Sequence, residues 1–372
     1  MKHITPAELV RELESGASLA VVDIREAEEF EGWHIHGSRN LPVYNALNKG
    51  KVEALTERTA ALPTDRTIVA VCRRGNTSLR AVEILEGLGF QAMNLNGGMR
   101  GWSGVWTEAP IPLDDEIDAR LIQIRRNGKG CLSYLLASRG EAAVVDPCVA
   151  DAAYQDAAER LDARITTILE THVHADHLSR ARSLAEATGA TLVLPRNQRV
   201  AFPYAAADDG QEFAVGGITM TVIATPGHTG ESVCYRIPGG VLLTGDTLFV
   251  GNVGRPDLEK GDVGAERCAR LLYRSLKERV LAPGAEARYY PGHESRTVGF
   301  DGHPIGSTLS EARAQIQLLA LDQDAFAAAI VQSLGAKPSN YERIVAVNEG
   351  KAELSGIDPL DLEAGPNRCA AG

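Results

Sequence analysis

Residues 171–177 concentrate three histidines and an aspartate directly after an apolar run at 165–169. These residues are His172, His174, Asp176 and His177. His172 and His174 lie two positions apart, so an extended segment turns both towards the same side. Imidazole and carboxylate ligands at this density suit a transition metal better than they suit packing. The segment therefore predicts a metal site at the end of a strand.

Three later segments each place a metal-ligating residue type beside a glycine. They contribute His228, Asp246 and His293. Glycine lets the backbone bend close to a shared centre. A single histidine of this kind is more often an ordinary buried or surface residue, but four such segments in one order favour a metal centre.

The order of these motifs resembles the metallo-β-lactamase superfamily, whose pattern is H-x-H-x-D-H followed by separated His, Asp and His. The resemblance covers residues 119–303 and implies an αββα sandwich with the metal at one edge of its two sheets. Superfamily members divide into hydrolases with one or two zinc ions and a smaller group of iron enzymes. All seven candidate ligands of a dinuclear zinc hydrolase are present, so the ligands alone do not choose between the two groups.

The G-R-x-D segment at 254–257 is similar to the persulfide dioxygenases, whereas glyoxalase II thioesterases usually have aromatic residues after the arginine. The dioxygenase resemblance implies one Fe(II) per chain, held by His172, His228 and Asp246. Such a 2-His-1-carboxylate set leaves coordination positions open for substrate and O₂. The resemblance also implies that Arg255 binds the carboxylate of a glutathione-like substrate.

The same resemblance implies a supporting role for the remaining residues of the motifs. His174, Asp176, His177 and His293 would then orient the ligands and handle protons. At the last motif the chain has His293-Glu294-Ser295, where the dioxygenases tend to have H-D-Y. This difference leaves the identity of the carrier thiol open.

A second reactive centre is predicted in the loop at 72–78, between a buried strand and a helix. Cys72 would lie among the backbone N–H groups of the helix N-terminus, and Arg73 and Arg74 add positive charge. Both effects favour a thiolate and a bound anion. The alternative is a partly buried structural cysteine with two solvated arginines, and at least four of the six cysteines are expected to be small buried hydrophobes.

Three segments around this loop resemble the rhodanese sulfurtransferases, namely 23–30, 32–38 and 95–102. The resemblance covers residues 1–108 and implies that Cys72 carries sulfane sulfur as a persulfide. The residues after it would bind a dianion such as thiosulfate: Arg73, Arg74, Gly75, Asn76 and Thr77. Strands alternating with helices in this part predict an α/β domain, a parallel sheet flanked by helices.

The sequence thus divides into four predicted parts. Residues 1–108 form a rhodanese-like domain, and 109–118, acidic and containing two prolines, form an exposed linker. Residues 119–303 form the metal domain, and 304–372 form a helical C-terminal extension.

The composition restricts partners and compartment. A net charge of -11 argues against nucleic acid or an anionic membrane surface. Neither a signal peptide nor an apolar run of transmembrane length is visible. Six cysteines without close pairs favour a reducing cytoplasm. A homo-oligomer is compatible with the sequence.

Sulfane sulfur connects the two domains, which predicts a bifunctional enzyme. The metal domain would oxidise glutathione persulfide, or another small thiol persulfide, with O₂ to sulfite and thiol. The rhodanese domain would transfer sulfur between thiosulfate or sulfite and a thiol, in a direction that the sequence leaves open. The first alternative is a zinc glyoxalase II-like thioesterase with a rhodanese module. The second is an N-terminal domain that binds sulfur or docks without turnover.

Overall fold

The N-terminal part forms a five-stranded parallel sheet in the order β1-β5-β4-β2-β3. The structure is a computed structural model that describes residues 2–259, 261–282, 284 and 286–371. The strands are β1 Lys2–Ile4, β2 Leu19–Asp23, β3 Arg39–Asn40, β4 Thr67–Val71 and β5 Ala92–Leu95. The helices are α1 Pro6–Glu14, α2 Ala27–Gly32, α3 Tyr44–Asn48, α4 Glu53–Thr56, α5 Asn76–Gly87 and α6 Gly98–Trp102.

Two hydrophobic clusters lie on opposite faces of this sheet. One packs α3 and α5 against it through Leu47 and Val82, and the other packs α1 and α6 against it through Leu9 and Trp102. Thr5 begins α1 with a capping box, because its hydroxyl accepts from Glu8 N and its own N–H donates to the Glu8 carboxylate. The predicted flanked parallel sheet is confirmed.

The second part is a sandwich of two sheets. The seven-stranded sheet has the order β12-β11-β10-β9-β8-β7-β6, and the six-stranded sheet has the order β13-β14-β15-β16-β19-β20. The first sheet comprises β6 Thr107–Ile111, β7 Arg120–Arg126, β8 Cys131–Ser138, β9 Glu141–Val145, β10 Arg164–Leu169, β11 Thr191–Pro195 and β12 Ala205–Ala207. The second comprises β13 Glu212–Val215, β14 Ile218–Ala224, β15 Val233–Ile237, β16 Val241–Gly245, β19 Arg288–Pro291 and β20 Ser307–Thr308, and a small hairpin comprises β17 Leu248–Phe249 and β18 Asn252–Val253.

Helices cover both outer faces of the sandwich. On the first sheet these are α7 Asp151–Arg160 and α8 Ala181–Thr188. On the second they are α9 Gly261–Arg274, α10 Leu309–Gln315 and α11 Gln323–Ser333. A central cluster, which includes Tyr134, Met220 and Leu243, joins the inner faces of the two sheets. The predicted αββα sandwich with C-terminal helices is confirmed.

The linker predicted at 109–118 is partly strand. β6 pairs antiparallel with β7 at the edge of the seven-stranded sheet, in the register Pro110↔Ile122. Proline lacks an N–H but is tolerated on an edge strand, where no further strand needs that donor. The linker prediction is therefore wrong for 109–111. The second sheet also extends beyond residue 303, because β20 pairs with β19.

The C-terminal extension contacts both domains. It ends in α12 Tyr341–Asn348 and α13 Pro359–Glu363. The Asp361 carboxylate pairs with Arg74 and Arg100 of the rhodanese-like domain. The Glu363 carboxylate is buried in the metal domain, where it accepts from Arg126 Nη2 at 2.8 Å and from Leu178 N at 2.7 Å. The extension therefore ties the two domains together.

Replacing Glu363 with glutamine is expected to lower the free energy of unfolding by about 3–5 kcal/mol, because it leaves the buried Arg126 without its counter-charge. Arg126, Arg180 and a backbone N–H outweigh burial and lower the pKa of Glu363. A group whose pKa is lowered by folding stabilises fully above its unfolded value and loses this contribution as the pH falls through the folded value. Urea denaturation should therefore show that Glu363→Gln lowers the free energy of unfolding at pH 7, and that this loss becomes smaller below about pH 4.5.

The exposed Glu353 offers a matched control for this change. Its replacement by glutamine should alter the free energy of unfolding by less than about 0.5 kcal/mol. A Glu363→Gln penalty that is small at pH 7, or that does not depend on pH, would contradict the role of this ion pair.

Across the described residues, no helix combines the length and apolarity needed to cross a bilayer.

Candidate functional site

Four strand ends of the sandwich carry the histidines and aspartates that the motifs predicted. β10, β14, β16 and β19 lead into loops that hold these residues, and all seven side chains are buried. They are His172, His174, Asp176, His177, His228, Asp246 and His293. Gly245, just before one of them, has φ 48°, and a Cβ there would lie 2.6 Å from Thr171 Oγ1. Only glycine allows this close approach between the β16 and β10 loops.

Three of these residues form one compact group. Ligand atoms of His172, His228 and Asp246 all lie within 4.8 Å of one another. The Nε2 atoms of His172 and His228 are 3.7 and 3.5 Å from Asp246 Oδ2. His172 Nε2 and Asp246 Oδ2 are buried without a hydrogen-bond partner, which is costly unless a cation lies between them. The donor set therefore fits a metal ion.

The protonation states of these residues also fit a metal ion. Burial and the neighbouring His174 hold the pKa of His172 well below its usual value, and burial lowers the pKa of His228. A metal ligand must be a neutral imidazole. His228 Nδ1 contacts the Arg255 carbonyl at 2.8 Å, and His172 Nδ1 contacts Thr171 Oγ1 at 2.9 Å. Such second contacts fix the orientation of the ring.

His174 contacts other partners, although the sequence places it next to His172. Its Nε2 lies 2.9 Å from Glu170 Oε2 and 3.2 Å from Asp146 Oδ1. Burial opposes its charge, but the two carboxylates outweigh burial and raise its pKa well above the usual value. Burial raises the pKa of Glu170 to about 7. His174 Nε2 is therefore held by two buried carboxylates, whereas its Nδ1 is buried without a hydrogen-bond partner.

Asp176, His177 and His293 form a third group. The Asp176 carboxylate lies 3.0 Å from His177 Nδ1 and 2.9 Å from His293 Nε2, and His293 Nδ1 lies 2.6 Å from Asp246 Oδ1. Burial disfavours a charge on His293, but Asp176 and Asp246 outweigh burial and raise its pKa to about 10. Burial lowers the pKa of His177 to about 4. These residues are paired mainly with one another around the three-residue group.

Four further polar residues at this site were missed by the sequence analysis. They are Asp146, Glu170, Cys131 and Cys369. Asp146 follows β9 as Glu170 follows β10, and the parallel register Val145↔Leu169 makes the two neighbours. An acidic residue directly after each of two predicted strands was a sequence signal that could have identified this pair. The distant Cys369 gave no such signal.

Arg255 does not present its guanidinium to a substrate. It is 2% exposed and binds Asp257 through Nε and Nη2 at 2.7 and 3.0 Å. Its three remaining N–H groups donate to the carbonyls of Gly335, Ala336 and Arg368. All five donors of the side chain are thus used within the protein. The structure does not support the prediction that Arg255 binds a substrate carboxylate; its side chain holds the C-terminal extension.

Replacing Arg255 with leucine is expected to lower the free energy of unfolding by about 3–5 kcal/mol, because it leaves Asp257 buried without this ion pair. Urea denaturation measures this change. Arg296 provides the control: it pairs with Glu294 but its side chain is 72% exposed, so its replacement by leucine should cost less than about 1 kcal/mol. An unchanged stability with a raised KM for a persulfide would instead restore Arg255 as a substrate-binding residue.

The Cys72 loop lies between β4 and α5, as predicted. Cys72 Sγ accepts from Gly75 N and from Ser78 Oγ, each at 3.1 Å. Gly75 precedes α5 with φ 88°, and a Cβ there would lie 3.0 Å from Gly97 N. Thr77 donates its hydroxyl to Asn48 Oδ1 at 2.9 Å. The loop therefore holds the sulfur atom in a hydrogen-bonded turn at a helix N-terminus.

Both arginines of this loop have acidic partners. Arg73 pairs with Glu29 at 2.7 Å and lies 4.5 Å above the Tyr44 ring. Arg74 pairs with Asp361 of α13 at 3.0 Å. A cleft of about 610 Å³, the interdomain cleft, lies between this loop and the C-terminal extension, and Arg73, Arg74, Arg100, Asp361, Gly365, Pro366 and Arg368 help to line it. Arg73 and Arg74 line this cleft, whereas Cys72 is 1% exposed and is not one of its lining residues.

Known protein families match both halves of the chain. The family described as Metallo-beta-lactamase superfamily matches residues 126–293, and the family described as Rhodanese-like domain matches residues 5–104. The chain spans 64%, 62% and 52% of the lengths of the first three curated relatives that it matches.

Individual relatives have two different activities in their names. A hydroxyacylglutathione hydrolase of Anaeromyxobacter dehalogenans is 34% identical over 56% of this chain and 89% of that protein. The human mitochondrial persulfide dioxygenase ETHE1 is 28% identical over 58% of this chain and 82% of that protein. The crystal structure of ETHE1 from Myxococcus xanthus superposes with a TM-score of 0.53 at 25% identity, covering 67% of this chain and all of that one.

Proposed function

Because the chain belongs to the metallo-beta-lactamase superfamily and carries a rhodanese-like domain, we propose that it oxidises a small thiol persulfide, first of all glutathione persulfide, to sulfite with O₂. The main support is the three-residue group of His172, His228 and Asp246, whereas the Nε2 atom of His174 contacts Glu170 and Asp146. Two histidines and one carboxylate are the ligand set of mononuclear iron oxygenases. In this proposal the enzyme works in a reducing cytoplasm.

In the proposed reaction a persulfide, O₂ and water give a thiol, sulfite and two protons. The sulfane sulfur supplies all the electrons that O₂ accepts, so no external reductant is needed. When bound, Fe(II) would supply the one-electron chemistry that O₂ requires, held by His172, His228 and Asp246. His293 Nδ1 lies 2.6 Å from Asp246 Oδ1 and so keeps this carboxylate in one orientation. The three side chains that would hold the metal are each at most 2% exposed.

The rhodanese-like domain is proposed to move sulfane sulfur through Cys72. The Cys72 sulfur attacks the outer sulfur of thiosulfate, the sulfur–sulfur bond of thiosulfate breaks, and sulfite leaves with the electron pair. Gly75 N–H and Ser78 Oγ hold the sulfur that attacks. Arg73 and Arg74 provide positive charge where the dianion approaches through the interdomain cleft. Transfer to a thiol would supply the persulfide, and the reverse direction would make thiosulfate.

The test of the dioxygenase proposal uses the full chain loaded anaerobically with iron(II). Addition of glutathione persulfide and O₂ should give O₂ consumption matched by sulfite, one for one, at one iron per chain. The same preparation loaded with zinc should consume no O₂. Stoichiometric O₂ uptake without sulfite, or the absence of uptake by the iron form, would rule out the proposal.

A zinc thioesterase is the second candidate. The hydroxyacylglutathione hydrolase relatives favour it, and so does the convergence of all seven ligand types at one edge of the sandwich. It would show two zinc ions per chain and hydrolysis of a glutathione thioester. Metal analysis and thioester hydrolysis by the same preparations therefore separate the two candidates.

A further inference from the structure

Cys369 brings a thiol from the C-terminal extension into the metal site. Its sulfur, a carboxylate oxygen of Asp246 and a ring nitrogen of His293 lie within 4.8 Å of one another, and Cys369 is 1% exposed. Buried cysteines usually pack as small hydrophobes, but the neighbours of this one are a carboxylate and an imidazole. A role in packing therefore does not account for its position.

The backbone around Cys369 is fixed on both sides. Arg255 N donates to the Cys369 carbonyl at 3.0 Å, and Cys369 N donates to Asn367 Oδ1 at 2.9 Å. Beyond it, Ala371 N donates to the Val253 carbonyl, also at 2.9 Å. The segment 367–371 thus runs along the loop that carries Arg255 and aims the thiol at the site.

The space next to this thiol carries one unpartnered ligand atom. Asp246 Oδ2 is buried without a hydrogen-bond partner and Asp246 is only 2% exposed, whereas His293 Nε2 pairs with Asp176. An unpartnered polar atom in a buried site indicates room for a bound group. A sulfur atom added to Cys369 would extend its side chain by about 2 Å, one sulfur–sulfur bond, within this polar surrounding.

The same segment reaches the other reactive centre. Arg368, directly before Cys369, lines the interdomain cleft together with Arg73 and Arg74, the two residues after Cys72. Asp361, earlier in the extension, pairs with Arg74. One stretch of chain therefore contacts the loop that would receive sulfane sulfur and the site that would consume it.

We propose that Cys369 is a sulfur-accepting residue, which takes the outer sulfur of a Cys72 persulfide and holds it beside the metal site. This inference rests on the proposed function. The Cys369 thiolate attacks the outer sulfur of the protonated Cys72 persulfide, a Cys369–sulfur bond forms and the Cys72–sulfur bond breaks. The persulfide proton stays on the transferred sulfur, and Cys72 leaves as the thiolate. Atoms and charge balance without an oxidant, because this is a thiol–persulfide exchange.

Mass spectrometry of the full chain tests this proposal directly. Cleavage after lysine gives a peptide 52–129 whose single cysteine is Cys72 and a peptide 352–372 whose single cysteine is Cys369. The iron-loaded chain is treated anaerobically with thiosulfate, or separately with glutathione persulfide, and then alkylated. We expect the added mass of one sulfur atom on both peptides after thiosulfate.

Two variants test separately whether Cys72 is the sulfur donor and whether Cys369 is the sulfur acceptor. Cys72→Ser should abolish sulfur on Cys369 from thiosulfate, while Cys369→Ser should leave sulfur on Cys72. Cys268→Ser, at a buried cysteine on α9, is the matched control and should change neither peptide. On admission of O₂, sulfur should disappear from the Cys369 peptide as sulfite forms.

Several results would overturn the inference. Absence of sulfur on Cys369 from both donors excludes it as an acceptor, even if the chain still makes sulfite from glutathione persulfide. Labelling of Cys369 from thiosulfate in Cys72→Ser excludes Cys72 as the donor. Failure of the dioxygenase proposal is recognised separately: Cys369 would carry sulfur that O₂ does not convert to sulfite.

Discussion

Asp246→Asn is expected to lower the rate of iron-dependent sulfite formation by more than about 100-fold. Loss of an outer partner of a metal ligand costs up to about 100-fold, and loss of a ligand itself should cost more. Asp246 is the only carboxylate in the three-residue group with His172 and His228. Its amide replacement keeps the size of the side chain but removes the negative charge that balances the cation. Sulfite production and iron content, measured on the same preparation, check the prediction.

Asp208→Asn provides a control, because Asp208 is an exposed partner of Arg196 and belongs to none of the candidate metal groups. It should leave iron content and rate unchanged. His174→Gln distinguishes one metal from two: it should retain one iron per chain while the rate falls by roughly 10–100-fold. A halved metal content in His174→Gln, or full turnover by Asp246→Asn, would refute the three-residue ligand set.

Cys72→Ser is expected to reduce the rate of thiosulfate:thiol sulfurtransfer to background, a loss of at least about 1,000-fold. Removal of the catalytic nucleophile in other enzymes causes losses that are larger still. Serine keeps the size and the contacts with Gly75 N and Ser78 Oγ. It cannot, however, carry a sulfane sulfur atom. Persulfide formation from thiosulfate and a thiol, or thiocyanate formation when cyanide is the acceptor, measures the transfer.

The same variant should consume O₂ with externally supplied glutathione persulfide, because Cys72 lies outside the metal site. Cys268→Ser should retain both activities. If sulfurtransfer persists in Cys72→Ser, the N-terminal domain is a docking or sulfur-binding module without turnover through this cysteine.

The residues of the metal site could be predicted wherever the signal is local. The spacing of His172 and His174 and the glycine before Asp246 depend on a few neighbouring residues, and the folded chain brings these residues to one sheet edge. Local spacing did not reveal that His174 turns to Glu170 and Asp146. That choice depends on the pairing of β9 with β10, which brings together residues distant in sequence.

The errors have physical causes of the same kind. The acidic, proline-containing composition around Pro110 is typical of a linker, yet an edge strand tolerates both features. Arg255 was assigned to substrate binding by resemblance, but carbonyls from the C-terminal extension accept from three of its donors and Asp257 accepts from the other two. Neither the docking of that extension nor the position of Cys369 leaves a periodic pattern in the sequence.

Asp361 of the C-terminal extension pairs with Arg74 and Arg100 of the rhodanese-like domain. The net charge at the Cys72 loop therefore depends on a segment that is distant from it in sequence. Excising the first 108 residues would leave both guanidiniums without this counter-ion and make the loop more positive. The isolated domain should then bind a dianion more tightly at low ionic strength, and this advantage should fade as salt screens it. Affinities measured on such a fragment would therefore overstate how strongly the intact chain attracts thiosulfate.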